Sequence, residues 1–282
     1  GSPRPADSTP STSVPTPGVT SSAPSSAASG STPSGNSRQS TGAELDSLTG
    51  SFAALERRLH ARLGLAIAPV GGGRAQRLGR VSGGPAWSTA KVPLARAALA
   101  GRPSDQTRPL IRRALRNSDN AAAESLWSGL GSDRVAAGQV TQVLRLAGDR
   151  RTTIPSRRAR DNFSIVGQTT WELTDQAAYG GTLACLPRTD PVRDDMRHVR
   201  ADLQWGLGRL DAAEFKGGWG PGADGRYLVR QFGTVRLPDG GMAAIAIAAI
   251  GTDGSYASGT AALDELADWA EQHLSAPTPT PC

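Results

Sequence analysis

The stretch AWSTAKVPL, residues 86–94, sets Ser88 three residues ahead of Lys91 among small and apolar neighbours. On a helix this spacing places both side chains on one face. A serine hydroxyl is a poor nucleophile at neutral pH unless a base removes its proton. A lysine one turn away can be that base if burial and nearby positive charge lower its pKa. A helix N-terminus there would also aim free N–H groups at a developing oxyanion. Taken alone, the pair reads equally as a capping serine with a snorkelling lysine.

Two further motifs follow in order. RNSDNAAAESLW (116–127) contains Ser118-Asp119-Asn120, which offers a hydroxyl for proton relay and an amide for holding a peptide group, or simply a turn. EFKGGWG (214–220) sets Lys216 on a strand running into Gly217-Gly218-Trp219. There glycines allow close approach of a substrate backbone and the lysine supplies a cation; the plain alternative is an edge strand entering a loop.

Between and around these motifs the chain has a coarse pattern. Leu45, Leu48, Phe52, Leu55 and Leu59 repeat at helical spacing over 44–62. LGLAIAPV (63–70) reads as a buried strand, with a weaker strand near 75–81. From 88 to about 186 the character is helical, interrupted by an irregular stretch at 149–170. RYLVRQFGTVRL and MAAIAIAAIG form an apolar hairpin about the turn Asp239-Gly240-Gly241, and GTAALDELADWAEQHL (259–274) closes the domain as a helix. Strands joined by short turns imply an antiparallel sheet, one face covered by the first and last helices.

The first 43 residues are rich in Ser, Thr, Pro, Gly and Ala without apolar periodicity, and are expected to be a disordered linker. Residues 44–275 are expected to form the folded domain and 276–282 a C-terminal tail. Gly1-Ser2 reads as a cloning scar, so a native signal peptide or lipid anchor is expected to have preceded it. The Ala/Gly/Arg-rich composition points to a high-GC source such as an actinobacterium.

The net charge is +6, but arginines are spread widely and aromatics make up 5% of the chain, so nucleic acid is not an expected partner. His60, His198 and His273 lie in helical contexts without a G-x-S-x-G elbow. Three scattered histidines and two distant cysteines make no recognisable metal site, and no phosphate-cradling loop calls for a nucleotide cofactor. Cys185 and Cys282 can pair in an exported protein; in the cytosol they stay reduced. Arg150, Arg151, Arg157, Arg158 and Arg160 crowd the irregular stretch, either as a site for an anionic glycan, lipid head group or carboxylate, or as a solvated loop.

S-x-x-K, S-D-N and a K-G-G strand in this order resemble the serine β-lactamases and penicillin-binding proteins, class A β-lactamases most closely, over about residues 44–275. The resemblance implies a two-lobed α+β fold, with the antiparallel sheet and its two helices beside an all-helical lobe. It implies Ser88 as acylated nucleophile, Lys91 as base, Ser118 as proton shuttle, Asn120 as amide ligand, and Lys216 as holder of a substrate carboxylate. Gly218 lies on the substrate strand, and the N–H groups of Ser88 and Trp219 form the oxyanion hole. No metal or cofactor is implied.

Three departures qualify the function. Gly217 stands where the family carries Thr or Ser. The interval from Ser88 to Ser118 is short, which implies a trimmed helical lobe. The loop RRTTIPSRRARDNFSIVGQTTW (150–171) has no glutamate to activate a deacylating water; Glu172 and Asp161 are the nearest substitutes. The expectation is an exported serine acyl-enzyme acting on a peptide, amide or ester of the cell envelope with weak or no β-lactamase activity. Its alternative is an envelope lipoprotein that uses the fold for binding.

Overall fold

In the computed structural model residues 36–282 are described, with residues 36–43 and Leu45 described by their backbone alone. The linker expected over 1–43 therefore falls largely outside the described residues. The first helix, α1, runs Asn36–Leu59 and so begins ahead of the boundary expected at 44. NSRQSTGA (36–43) contains no proline, so nothing stops the helix from propagating towards the N-terminus.

The main sheet is antiparallel. Strands β1 (Arg62–Pro69) and β2 (Gln76–Gly79) come first, and the remainder arrive late in the chain as β5 (Asp211–Pro221), β6 (Tyr227–Arg236) and β7 (Met242–Ile250). The spatial order is β2-β1-β7-β6-β5, with Leu65 opposite Ile247 and Lys216 opposite Phe232. The β6–β7 hairpin turns at Asp239-Gly240-Gly241, where Gly240 has a φ of +84°. A separate two-stranded pair joins β3 (Gly83–Pro85) to β4 (Thr170–Glu172), an element that the sequence pattern did not suggest.

MAAIAIAAI in β7 shows how alternation assigns the two faces. Ala243, Ile245, Ile247 and Ala249 enter a core shared with Phe52 and Leu55 of α1 and with Leu263, Leu266 and Trp269 of α8 (Tyr256–His273). Phe52 and Trp269 meet edge-on at 5.0 Å, so the two terminal helices cover one face together. Ala244, Ala246 and Ala248 point the other way, into a core shared with Ala177 and Tyr179 of α6 (Leu173–Thr182). Small residues on that face let α6 lie close to the sheet.

The helical lobe is built from α2 (Lys91–Ala100), α3 (Thr107–Arg116), α4 (Asn120–Gly129) and α5 (Asp133–Leu146), with α7 (Asp190–Arg197) packed against α3 and β5. Asp195 of α7 is fully buried and takes Arg108 and Arg116 of α3 at 3.1 and 2.7 Å. The tail beyond α8 is fastened: Cys282 is disulfide-bonded to Cys185, and Thr280 donates its N–H to the Val70 carbonyl at 2.9 Å. Among the described residues no helix is long and apolar enough to cross a membrane, and no group of side chains could hold a metal ion.

Candidate active site

Ser88 lies in a short 3-10 turn, Trp87–Ala90, that runs directly into α2. Trp87 just before it has a φ of +50°, a left-handed conformation that is strained for a bulky residue and typical of sites where a side chain must be aimed. Its ring is held edge-on against Phe163 at 5.1 Å. The turn is anchored from below by a buried chain of donors. Arg230 donates to Gln176 Oε1 at 2.9 Å, Gln176 Nε2 donates to Thr89 Oγ1 at 2.9 Å, and the Thr89 hydroxyl donates to the Ala86 carbonyl.

Arg230 is a fully buried guanidinium to which, among the described residues, no carboxylate is bonded. It also donates to the carbonyls of Gly84, Pro85 and Trp171 at 2.8, 3.1 and 2.9 Å, which ties the β3–β4 pair to β6. Burial pushes its pKa down to about 9. This arginine stands in the middle of a strand and belongs to no motif, so nothing in the local pattern marked it out.

Ser118 also has a left-handed backbone, with φ +55°. Asp119 is the N-cap of α4, accepting from the Ala122 N–H at 2.9 Å and from Arg113 at 2.6 and 3.0 Å. These bonds, the backbone one foremost, hold its pKa below the ordinary range. Within the Ser-Asp-Asn motif the aspartate therefore builds the helix while its neighbours face the cavity.

Lys91 and Lys216 converge on Ser118. Lys91 Nζ donates to the Ser118 carbonyl at 2.6 Å and to Asn120 Oδ1 at 2.8 Å, and lies 3.5 Å from Ser118 Oγ. Lys216 Nζ donates to Ser118 Oγ at 3.0 Å and to the Gly217 carbonyl at 2.7 Å. Both lysines are buried. Desolvation lowers the Lys91 pKa to about 7, against the opposing pull of Asp119 and Glu124. Desolvation and then the Lys91 charge push the Lys216 amine well below its ordinary value. A neutral Lys91 amine has two hydrogens, and the two short bonds use both, leaving its lone pair free to accept a proton. Among the described residues the Ser88 hydroxyl makes no hydrogen bond, so the direct Lys91–Ser88 contact that the expected roles invite is not formed here.

Gly218 explains how β5 comes so near the nucleophile. A Cβ at this position would lie 2.7 Å from the Ser88 nitrogen and 2.9 Å from the Thr89 nitrogen, so only glycine fits. β5 is the edge of the sheet, so its outer N–H groups are not used by another strand. Gly217 is occupied differently: a Cβ there would meet the Trp205 ring at 3.0 Å. Trp205 donates its ring N–H to the Tyr256 hydroxyl at 3.1 Å and packs edge-on with Trp219 at 6.2 Å, so an indole fills the space beside the missing hydroxyl.

Ser88, Ser118, Asn120 and Trp219 line one cavity of about 500 Å³, closed opposite by Asp161, Asn162 and Phe163 of the loop. Lys91 and Lys216 lie behind Ser118 rather than on the cavity wall. Glu172 is elsewhere, beside Gly83 in the β3–β4 pair, and does not line the cavity. Of the loop arginines, Arg151 pairs with Asp175 at 2.8 Å, Arg158 donates to the Phe163 carbonyl, and Arg160 donates to the Pro221 carbonyl at 2.6 Å while stacking over Phe163. Arg150 and Arg157 are exposed and make no such bonds among the described residues. Sequence reading missed Glu124, a further wall residue, although its spacing of four from Asn120 on one helix was a usable signal.

Fold and site together define a protein with the serine β-lactamase fold. A variant of the last common ancestor of Gram-negative class A β-lactamases is similar at 22% identity, covering 83% of this chain and 100% of its own, with a TM-score of 0.62. The TLA-3 extended-spectrum β-lactamase is similar at 16% identity over 80% of this chain and 98% of its own, TM-score 0.63. A class A β-lactamase representative from Bacteroides cellulosilyticus is similar at 13% identity over 82% and 98%, TM-score 0.65. No family model matches the sequence, and no curated protein matches it.

Proposed function

We propose that the protein is an exported serine acyl-transfer enzyme, acylated at Ser88 by a peptide, amide or ester of the cell envelope, with weak β-lactamase activity. The observation that carries this reading is the buried Lys91 amine. It is brought to a pKa of about 7 and held by the Ser118 carbonyl and Asn120, three residues after Ser88 where the nucleophile turn runs into α2. Lys91 takes the Ser88 proton as Oγ attacks the substrate carbonyl. The backbone N–H groups of Ser88 and Trp219 receive the oxyanion, and Ser118 passes the proton to the leaving group.

Substrate preference follows from Lys216 and Gly217. The Lys216 amine is bonded to Ser118 and to its own strand, and Trp205 fills the space beside Gly217. A substrate carboxylate therefore finds fewer donors than a Lys-Thr-Gly strand would offer, which favours uncharged esters and amides over penicillins. The disulfide supports an oxidising, extracytoplasmic setting. Arg150 and Arg157 are the arginines left to meet an anionic envelope polymer.

The test is intact-protein mass spectrometry after incubation with a fluorescent penicillin and, separately, with an uncharged p-nitrophenyl ester, with Ser88→Ala as control. A covalent adduct of one acyl group, lost in the variant, is expected, with the ester reacting faster. No adduct with either reagent would sink the acyl-enzyme reading in favour of a binding protein, which the loop without glutamate would also suit.

A further inference from the structure

An acyl-enzyme that turns over needs a base for the water that releases the acyl group. The loop opposite Ser88 offers no glutamate, and Glu172 lies outside the cavity. Two carboxylates do line the cavity, Glu124 and Asp161, and they differ in kind. Asp161 is exposed on the loop. Glu124 is half-buried on α4, one helical turn beyond Asn120, so the two share a face. Asn120 is in turn bonded to Lys91 Nζ at 2.8 Å. Among the described residues Glu124 makes neither an ion pair nor a hydrogen bond, and it lines the same cavity as Ser88.

From this placement we infer that Glu124 is the general base of deacylation, supplied from the helix of the Ser-Asp-Asn motif instead of from the loop. The inference rests on the acyl-enzyme reading above. In the step, the Glu124 carboxylate takes one proton from a water as its oxygen bonds to the acyl carbon. The tetrahedral intermediate collapses with cleavage of the bond from that carbon to Ser88 Oγ. The proton held by Glu124 passes to Oγ, the acid departs, and one water has been consumed. Glu124 also stands close enough to Lys91 to favour its protonated form, so the two groups share one electrostatic environment. In this arrangement α4 itself forms the wall from which the base acts.

The experiment follows the decay of the Ser88 adduct formed with the p-nitrophenyl ester, in the wild type and in Glu124→Gln, Glu124→Asp and Asp161→Asn. Glu124→Gln is expected to label to the same stoichiometry as the wild type but to lose the label at least a hundredfold more slowly, the usual scale for removing a general base. Glu124→Asp should fall between, and Asp161→Asn should match the wild type. Wild-type decay in Glu124→Gln, or trapping by Asp161→Asn alone, would overturn the assignment while leaving Ser88 as the nucleophile. Loss of labelling in a Glu124→Gln protein that melts at the wild-type temperature would also overturn it, placing the residue in acylation. If the wild type itself never labels, the acyl-enzyme reading fails first and this one with it.

Discussion

Replacing Lys91 by methionine should stabilise the protein near neutral pH and destabilise it in alkali. The folded state holds the amine at a pKa of about 7 against 10.5 for an ordinary lysine. One unit is worth about 1.36 kcal/mol, so at pH 7 the wild type carries a penalty of about 4 kcal/mol. Between pH 7 and 10.5 the unfolded chain binds the proton and the folded chain does not. The penalty therefore shrinks as pH rises through this window and is nearly gone at its upper end. Methionine fills a similar volume without a charge. It abandons the bonds to the Ser118 carbonyl and Asn120 Oδ1, at a cost of about 1–1.5 kcal/mol each. The balance at pH 7 is a gain of roughly 1–2 kcal/mol, or about 2–8 °C in Tm for a domain of this size. At pH 10.5 only the lost bonds remain, and the variant should be less stable by about 2–3 kcal/mol. Urea unfolding of both proteins at the two pH values tests this. A stability difference that does not move with pH would refute the desolvated lysine, and with it the base assigned to the site. The same ionisation predicts that wild-type acylation rises through pH 7 as Lys91 loses its proton.

Gly218→Ala should fold but acylate at least a hundredfold more slowly, because its Cβ would press on the Ser88 and Thr89 nitrogens and shift the N–H groups of the oxyanion site; labelling at the wild-type rate would contradict the close approach of β5. Cys282→Ser opens a link spanning 97 residues, and the chain-entropy account puts the loss at about 4–5 kcal/mol. Thermal melts should show a Tm lowered by roughly 10 °C or more, and reductant should bring the wild type to the same value; an unchanged midpoint on reduction would show that the tail contributes nothing.

What the sequence made legible was whatever is carried by local period or by fixed spacing. β7 announced itself because every second residue of MAAIAIAAI meets a different core, and α1 and α8 because their apolar residues recur at helical spacing. The three site motifs stood out because the chemistry requires particular residue types a few positions apart. The β3–β4 pair did not, being only three residues a side and built on Gly83-Gly84-Pro85, where neither period nor propensity speaks. α7 was hidden for another reason. Its DPVRDDMR is mostly charged, and its burial is organised by Asp195 reaching α3 arginines some 80 residues earlier, through Arg108 at 87 and Arg116 at 79 residues' separation.

The support beneath Ser88 shows most directly where local reading stops. Arg230, Gln176 and Thr89 form one donor chain, yet their sequence separations are 54 and 87 residues. Each residue is unremarkable where it stands in the chain, and only the folded sheet brings them into line. An unpaired cation buried at such a place is costly, and removing it would strand the Gly84, Pro85 and Trp171 carbonyls as well as Gln176. The arrangement is stable because the carbonyls converge at the point where β3, β4 and the nucleophile turn meet. The guanidinium is the one side chain with enough donors in a fixed plane to satisfy them together. Thr89 receives its bond from this network and sits next to Ser88 in the chain. The strained Trp87–Ser88 segment is therefore held from one side by buried hydrogen bonds and from the other by the Trp87–Phe163 contact. A nucleophile whose own hydroxyl is unbonded can thus still be fixed in direction, because its backbone is held instead of its side chain.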